Sequence, residues 1–198
     1  MIRGIHLAIL AFAIIQAVSP LRGQSTPSGK APPAQLEATL AYSADRGSGS
    51  ANSNFWMQGG KAEFSAAFSR SFSLVGDVAV LHASNINSAN GSIGLVSYLF
   101  GPRFSYRRYS RFTPFGQILI GGVHGFDAYF PSAAGFTLTP DAFAMAAGGG
   151  VNVPVSRHLA IRPVQVDYFQ TQLPNNAANR ENNLRVGAGI VFAIGSPR

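Results

Sequence analysis

The fold is decided by one stretch: Ile93-Gly-Leu-Val-Ser-Tyr-Leu-Phe-Gly-Pro-Arg-Phe-Ser-Tyr106, then Arg107-Arg-Tyr-Ser-Arg-Phe-Thr-Pro114, then Phe115-Gly-Gln-Ile-Leu-Ile-Gly-Gly-Val-His124. Tyr98, Phe100, Phe104 and Tyr106 share one parity, and Ser97, Gly101, Arg103, Ser105 and Arg107 share the other. Period two is the repeat of a β-strand, whose successive side chains point to opposite faces. A short polar segment joins the limbs, which predicts an antiparallel hairpin. Small and charged residues crowd one face while aromatics fill the other. A soluble sandwich hides its large side chains, whereas a transmembrane β-barrel turns them out to lipid and keeps polar groups in a narrow lumen. Such a sheet must close on itself, because an open edge leaves backbone groups unpaired in hydrocarbon.

The rest of the chain supplies the strands. The length, 198 residues, suits one domain. Hydrophobic residues make up 46% and charged residues only 12%, about half the charge usual in soluble domains. Past the first twenty residues no apolar run reaches the roughly 18 residues of a membrane helix, so the apolarity is spread over alternating strands. Cysteine is absent, which excludes disulfides and thiol chemistry. Residues 1–23 read as a secretory signal: Arg3, the apolar segment His6–Val18, Pro20, and cleavage before Gln24. Removing Arg3 and Arg22 lowers the formal net charge from +7 to +5. Residues 24–34 are a Pro/Ser-rich linker expected in the periplasm. Residues 35–198 are the barrel.

Strands are expected at Gln35–Ser43, Phe55–Phe68, Phe72–Ala83, the two limbs of the founding hairpin, Asp141–Val153, His158–Gln170 and Asn183–Ile194. The connections alternate long and short, beginning long. Outer-membrane barrels have short periplasmic turns and longer extracellular loops, so both ends of the barrel are expected on the periplasmic side. The predicted fold class is therefore an all-β, eight-stranded antiparallel up-and-down transmembrane barrel, whose interior is just wide enough for side chains.

Collecting the charges at inward parity gives Glu37, Lys61, Glu63, Asp77, Arg103, Arg107, Asp167 and Arg185. Four acids and four bases predict an ion-pair network plugging the lumen, since charges in so narrow a space must pair or stay hydrated. Arg162 breaks parity with Gln165 and Asp167 across Pro163, a conflict that a bulge would repair. The glycines at Gly59, Gly101, Gly121, Gly148, Gly150, Gly187 and Gly189 either make room for long basic stems or mark bends in the sheet. His124 could face either way. Trp56, Phe55, Tyr129, Phe130, Tyr168 and Phe169 are expected in one interfacial girdle, and Tyr106, Tyr109 and Phe112 in the other.

By these features the chain resembles the small eight-stranded OmpA-like and OmpX-like outer-membrane barrels. The residues that carry the likeness are Tyr98-Leu-Phe-Gly-Pro-Arg103, Pro114-Phe-Gly-Gln117, Gly148-Gly-Gly-Val-Asn-Val-Pro154 and Arg162-Pro-Val-Gln-Val-Asp-Tyr168. They define an architecture over about Gln35 to Ile194, not an activity. Barrels of this kind commonly end on an aromatic residue read by the assembly machinery. Here Phe192 is followed by Ala-Ile-Gly-Ser-Pro-Arg198.

The sequence gives no sign of an enzyme. His82, His124 and His158 sit on separate strands or turns without an HxH or HExxH pattern, so no metal site is expected. A lipid A deacylase-like barrel would pair a His with a Ser on one strand face, with a third group orienting the His. His124 has Phe126 two residues on; His82 has Ser84 but no nearby acid in sequence. The expected role is non-enzymatic and structural or surface-contacting (envelope stability, or adhesion through the long loops). A lipid A-modifying enzyme and a minor small-solute pore are the alternatives. No cofactor is expected. The expected partners are outer-membrane lipids and lipopolysaccharide and the barrel-assembly machinery. The Arg103–Arg111 cluster is interleaved with strand pattern and does not suggest nucleic acid. A soluble lipocalin-like carrier would need an apolar interior.

Overall fold

The computed structural model describes residues 35–48, 54–84, 92–109, 111–126, 130–132, 135–137, 139–174 and 180–194. The signal and linker segments, Tyr129, and the tail after Ile194 lie outside the described residues. Among these residues ten strands occur in chain order: β1 (Gln35–Ser48), β2 (Asn54–Ala67), β3 (Phe72–Ala83), β4 (Ile93–Ser105), β5 (Thr113–Phe126), β6 (Phe130–Ser132), β7 (Gly135–Thr137), β8 (Asp141–Pro154), β9 (Leu159–Thr171) and β10 (Glu181–Ile194). Eight of them form a closed barrel in the order β1-β10-β9-β8-β5-β4-β3-β2, every pairing antiparallel. The other two, β6 and β7, pair with each other as a small hairpin within the connection from β5 to β8, where the sequence had suggested only a loop.

The barrel strands are 12 to 14 residues long. That exceeds the roughly 9–11 tilted residues needed to cross a bilayer. The outward face carries the lipid-compatible belt. Leu40, Phe64, Val78, Phe100, Ile118, Ile120, Ile161, Leu184 and Ile190 are all exposed. A continuous exposed ring of this kind has no soluble counterpart, because large contiguous apolar surface on a soluble monomer invites association. The founding hairpin keeps its faces: Tyr98, Phe100 and Phe104 point outward, whereas Ser97, Arg103 and Ser105 are buried.

One boundary differs from the sequence reading, and one expected bulge is present. First, β1 runs on to Ser48 and β2 begins at Asn54, so most of the Gly/Ser/Asn segment 44–54 is ladder. Asp45 consequently sits in the lumen, fully buried. Second, β9 carries one residue more than its neighbours. Val151 and Val153 of β8 face Val164 and Ile161, and Gly187 and Gly189 of β10 face Gln165 and Arg162. The extra residue falls at Pro163-Val164, both exposed. This bulge lets Arg162, Gln165 and Asp167 all point inward, and a bulge is where a strand accommodates a proline lacking its N–H.

The inward glycines serve curvature. A Cβ on Gly121 would lie 2.0 Å from the Tyr98 carbonyl oxygen, and one on Gly148 would lie 2.1 Å from that of Val166. The neighbouring strand's backbone, not a basic stem, fills the place of their side chains, so these positions are bends.

Candidate functional site

The lumen holds the chemistry-bearing residues. Glu63 of β2 is its hub. It accepts hydrogen bonds from Arg103 of β4 and Arg162 of β9, and Lys61 Nζ lies 3.3 Å from its carboxylate. Lys61 in turn stands 3.2 Å from Asp77 of β3 and 3.8 Å from Asp167 of β9. Arg185 of β10 donates from Nε to both oxygens of Asp45 at 2.9 and 3.0 Å. Its Nη1 is 3.9 Å from Asp77. Amides complete the lattice. Gln117 accepts from Arg103 Nε at 2.9 Å, Gln165 accepts from Arg162 Nη1 at 2.6 Å, and Gln165 Nε2 donates to Asp167 at 2.6 Å. Asn152 accepts from Arg162 Nε at 2.9 Å.

Phe115 stands against both Arg103 and Arg162, whose guanidinium carbons lie 4.3 and 4.6 Å from its ring centroid. Phe169 receives Arg185 at 3.9 Å. A guanidinium on a ring face is held by the ring quadrupole and loses less than one left bare in a dry interior.

Six of the eight predicted lumen residues are buried and joined: Lys61, Glu63, Asp77, Arg103, Asp167 and Arg185. The other two, Glu37 and Arg107, are not part of that core. They pair with each other at 3.0 Å at the short-turn mouth, where the Arg107 side chain is 36% exposed. Their places in the lumen are taken by Asp45 and Arg162. The buried set therefore still holds four acids and four bases among the described residues. Charge neutrality is the physical requirement, because an uncompensated charge in a dry interior costs several kcal/mol. The parity of Asp45 with Thr39 and Ser43 was the signal for the one, and the parity conflict across Pro163 for the other.

Nor is the interior polar throughout. Toward the long-loop end it becomes a packed apolar layer of Met57, Leu81, Leu95, Val123, Phe169 and Leu173. Phe169, expected in the interfacial girdle, lies here fully buried, and Phe55 packs partly buried against the same layer. Trp56 and Tyr168 do stand exposed on the outer face, as do Tyr106, Tyr109 and Phe112 at the other end. The side chain of Phe130 lies outside the described residues. An apolar interior layer is what a lipocalin-like carrier would show; the exposed outer belt is what excludes that reading.

The comparisons agree with this architecture. No family model matches the chain, and no curated protein matches it. Among solved structures it is similar to Ail, the attachment invasion locus protein of Yersinia pestis, with TM-score 0.58 and 16% identity over 81% of this chain and 99% of that one. It is likewise similar to Neisserial surface protein A, with TM-score 0.60 and 10% identity over 79% and 96%. A third is the outer membrane protein OprG of Pseudomonas aeruginosa, with TM-score 0.55 and 10% identity over 82% and 97%. The chain has the fold of the small eight-stranded outer-membrane β-barrels. At these identities the likeness is one of fold, and what the barrel does must come from its own residues.

Those residues include one His–carboxylate pair. His124 faces outward on β5, and its Nδ1 lies 2.8 Å from Asp141 on the paired strand β8. A hydrolytic site would need a nucleophile beside the ring. Two residues on, the strand offers Phe126. His82 and Ser84 are both exposed, and no carboxylate stands against His82 among the described residues. Among those same residues no group of three or more His, Cys, Asp or Glu could hold a metal.

Proposed function

We propose that this outer-membrane barrel is a non-enzymatic scaffold whose working surface is the set of four connections at its extracellular end. The observation that carries the proposal is the double closure of its lumen. The Glu63-centred network fills the middle, and the apolar layer of Met57, Leu81, Leu95 and Phe169 fills the end beneath those connections. Transport through such an interior would require breaking buried ion pairs and unpacking side chains at once, which argues against the small-solute pore. The lipid-modifying enzyme is disfavoured because His124 has its acid but, among the described residues, no hydroxyl nucleophile beside it. What remains is the loop surface, set in a bilayer of phospholipid and lipopolysaccharide that the chain reaches through the barrel-assembly machinery. One structurally similar barrel is Ail, the attachment invasion locus protein, which has been seen in complex with the heparin analogue sucrose octasulfate. Surface attachment is thus a role this fold can serve.

Planar-bilayer recording tests the closed lumen. The purified protein should give no steady, ion-selective conductance steps, and stable large steps would refute it. In parallel, incubation with lipopolysaccharide should leave the acyl chains intact. Acyl release lost in His82→Ala or His124→Ala would make the barrel an enzyme.

A further inference from the structure

Two of the short turns are the same device. The β2–β3 turn reads Phe68-Ser-Arg-Ser-Phe72, and the β8–β9 turn reads Val155-Ser-Arg-His-Leu159. In the first, the N–H groups of Phe68 and Ser69 both donate to the Phe72 carbonyl, at 3.0 and 3.2 Å. In the second, those of Val155 and Ser156 both donate to the Leu159 carbonyl, each at 2.9 Å. In each, the serine oxygen accepts the N–H two residues on: Ser71 to Ser69 at 3.3 Å, and His158 to Ser156 at 3.4 Å. A serine that accepts from the backbone keeps its own O–H proton to donate elsewhere. Each turn thus presents one oriented hydroxyl beside one arginine.

The barrel order puts these turns on opposite sides of the ring: two strands separate them one way (β1 and β10) and two the other way (β5 and β4). Between them the lumen opens into a vestibule of about 510 Å³, which Ser69, Arg70, Ser156 and Arg157 all line. Its floor includes Asn152, the acceptor of Arg162, so the cavity ends where the ion-pair network begins. The volume falls within the roughly 300–1,000 Å³ of small-ligand sites. Three arginines, Arg70, Arg107 and Arg157, line it against one carboxylate, Glu37, and that carboxylate is taken by Arg107. Arg70 and Arg157 have no acidic partner among the described residues. They differ in this from Arg103, Arg162 and Arg185 deeper in the lumen.

We propose that the short-turn mouth of the barrel binds a phosphate-bearing anion, clamped between the Ser69-Arg70 and Ser156-Arg157 turns. Phosphate suits the geometry better than carboxylate. Its oxygens point in several directions and can accept from guanidiniums on opposite walls, whereas a planar carboxylate presents two oxygens along one edge. The serine hydroxyls supply further donors. The apolar wall of Leu159, Val191 and Ala193 leaves room for the organic part of a phosphate ester. Two sources share this chemistry: the headgroup of an anionic phospholipid in the adjoining leaflet, and a soluble phosphate ester.

The test uses the whole mature protein folded in a phosphate-free maltoside detergent, titrated calorimetrically with glycerol 3-phosphate and with inorganic pyrophosphate. One-to-one binding is expected, weakened at least tenfold by Arg70→Gln and by Arg157→Gln. Arg108→Gln, in the third short turn and outside the vestibule lining, should change affinity less than twofold. All three positions are exposed, and gel mobility before and after heating checks that each variant is folded. Absence of binding would overturn the proposal. Equal loss in Arg108→Gln would overturn it too, by showing diffuse charge attraction. The source is read from protein extracted from bilayers containing phosphatidylglycerol. If the lipid stays on the wild type and is lost from the Arg70→Gln/Arg157→Gln double variant, the occupant is a lipid. Binding of glycerol 3-phosphate with no retained lipid assigns it to a soluble ester.

Discussion

At the scale of single residues, Phe100 and Arg103 carry opposite expectations from positions three apart on one strand. Phe100 is exposed on the lipid side, and Arg103 is buried against Glu63 and Gln117. A charge at the bilayer midplane of a barrel's lipid face costs about 2–4 kcal/mol. Phe100→Arg should lower stability by that order in urea unfolding from lipid vesicles. Arg103→Ala removes one of three bases from Glu63, leaving Lys61 and Arg162 in place. A double-mutant cycle should show coupling of about 0.5–3 kcal/mol between Arg103 and Glu63. Asp77, whose bases are Lys61 and Arg185, should show little coupling to Arg103. A neutral Phe100→Arg together with an uncoupled Arg103–Glu63 pair would mean that the two faces are assigned the wrong way round.

At the scale of the element, β9 shows what period two can and cannot reveal. Since the strand holds one residue more than both neighbours at Pro163-Val164, deleting Pro163 should restore strict alternation and leave Arg162 and Gln165 facing inward. The barrel should still fold, read by heat-modifiable gel mobility. The same deletion in an unbulged strand, Ala62 of β2 for example, turns one half of the strand inside out and should abolish folding. If both deletions behave alike, the bulge is not what sets the register. The sequence displayed the conflict at Arg162 and the bulge across Pro163 that would repair it, and the ladders to both partner strands carry that bulge. Elsewhere legibility followed chemistry. The outward aromatics of β4 were readable because lipid tolerates only one kind of residue there. Asp45 was hidden by its Gly/Ser/Asn surroundings, which usually mean a loop but here extend β1. Gln117 and Gln165 escaped a count of charges although they tie the arginines together. Phe169 has the parity of Asp167, and its burial was legible from that alone. Its aromatic character near a strand end pointed instead to the girdle. An interior this narrow packs like a core, so apolar inward residues are as natural as charged ones.

At the scale of the whole molecule, two materials share one tube: a charge-neutral lattice toward the short turns and an apolar plug toward the long connections. Around the tube, the seam between β1 and β10 is closed by a full antiparallel ladder from Leu36–Ile194 to Arg46–Leu184. The Asp45–Arg185 pair crosses the same seam, joining residues 140 apart in sequence. Because that seam is an unbroken antiparallel ladder, a short linker from Ile194 to Gln35 with new ends cut between residues 175 and 179 should still give a folded barrel. Near-UV circular dichroism and gel mobility would report it. Failure of the permuted chain, with the uncut linked form intact, would show that the seam needs free ends.

The position of that seam has a consequence for how the protein enters its membrane. The first residue of β1 and the last of β10 lie at the same rim as the three short turns. Insertion from that side never requires a strand end to be threaded across the hydrocarbon. Only four hairpin tips have to pass, each followed by its two strands as a pair. The connections at those tips make the crossing once, and thereafter the polar residues they carry resist withdrawal, like toggles pushed through a cloth.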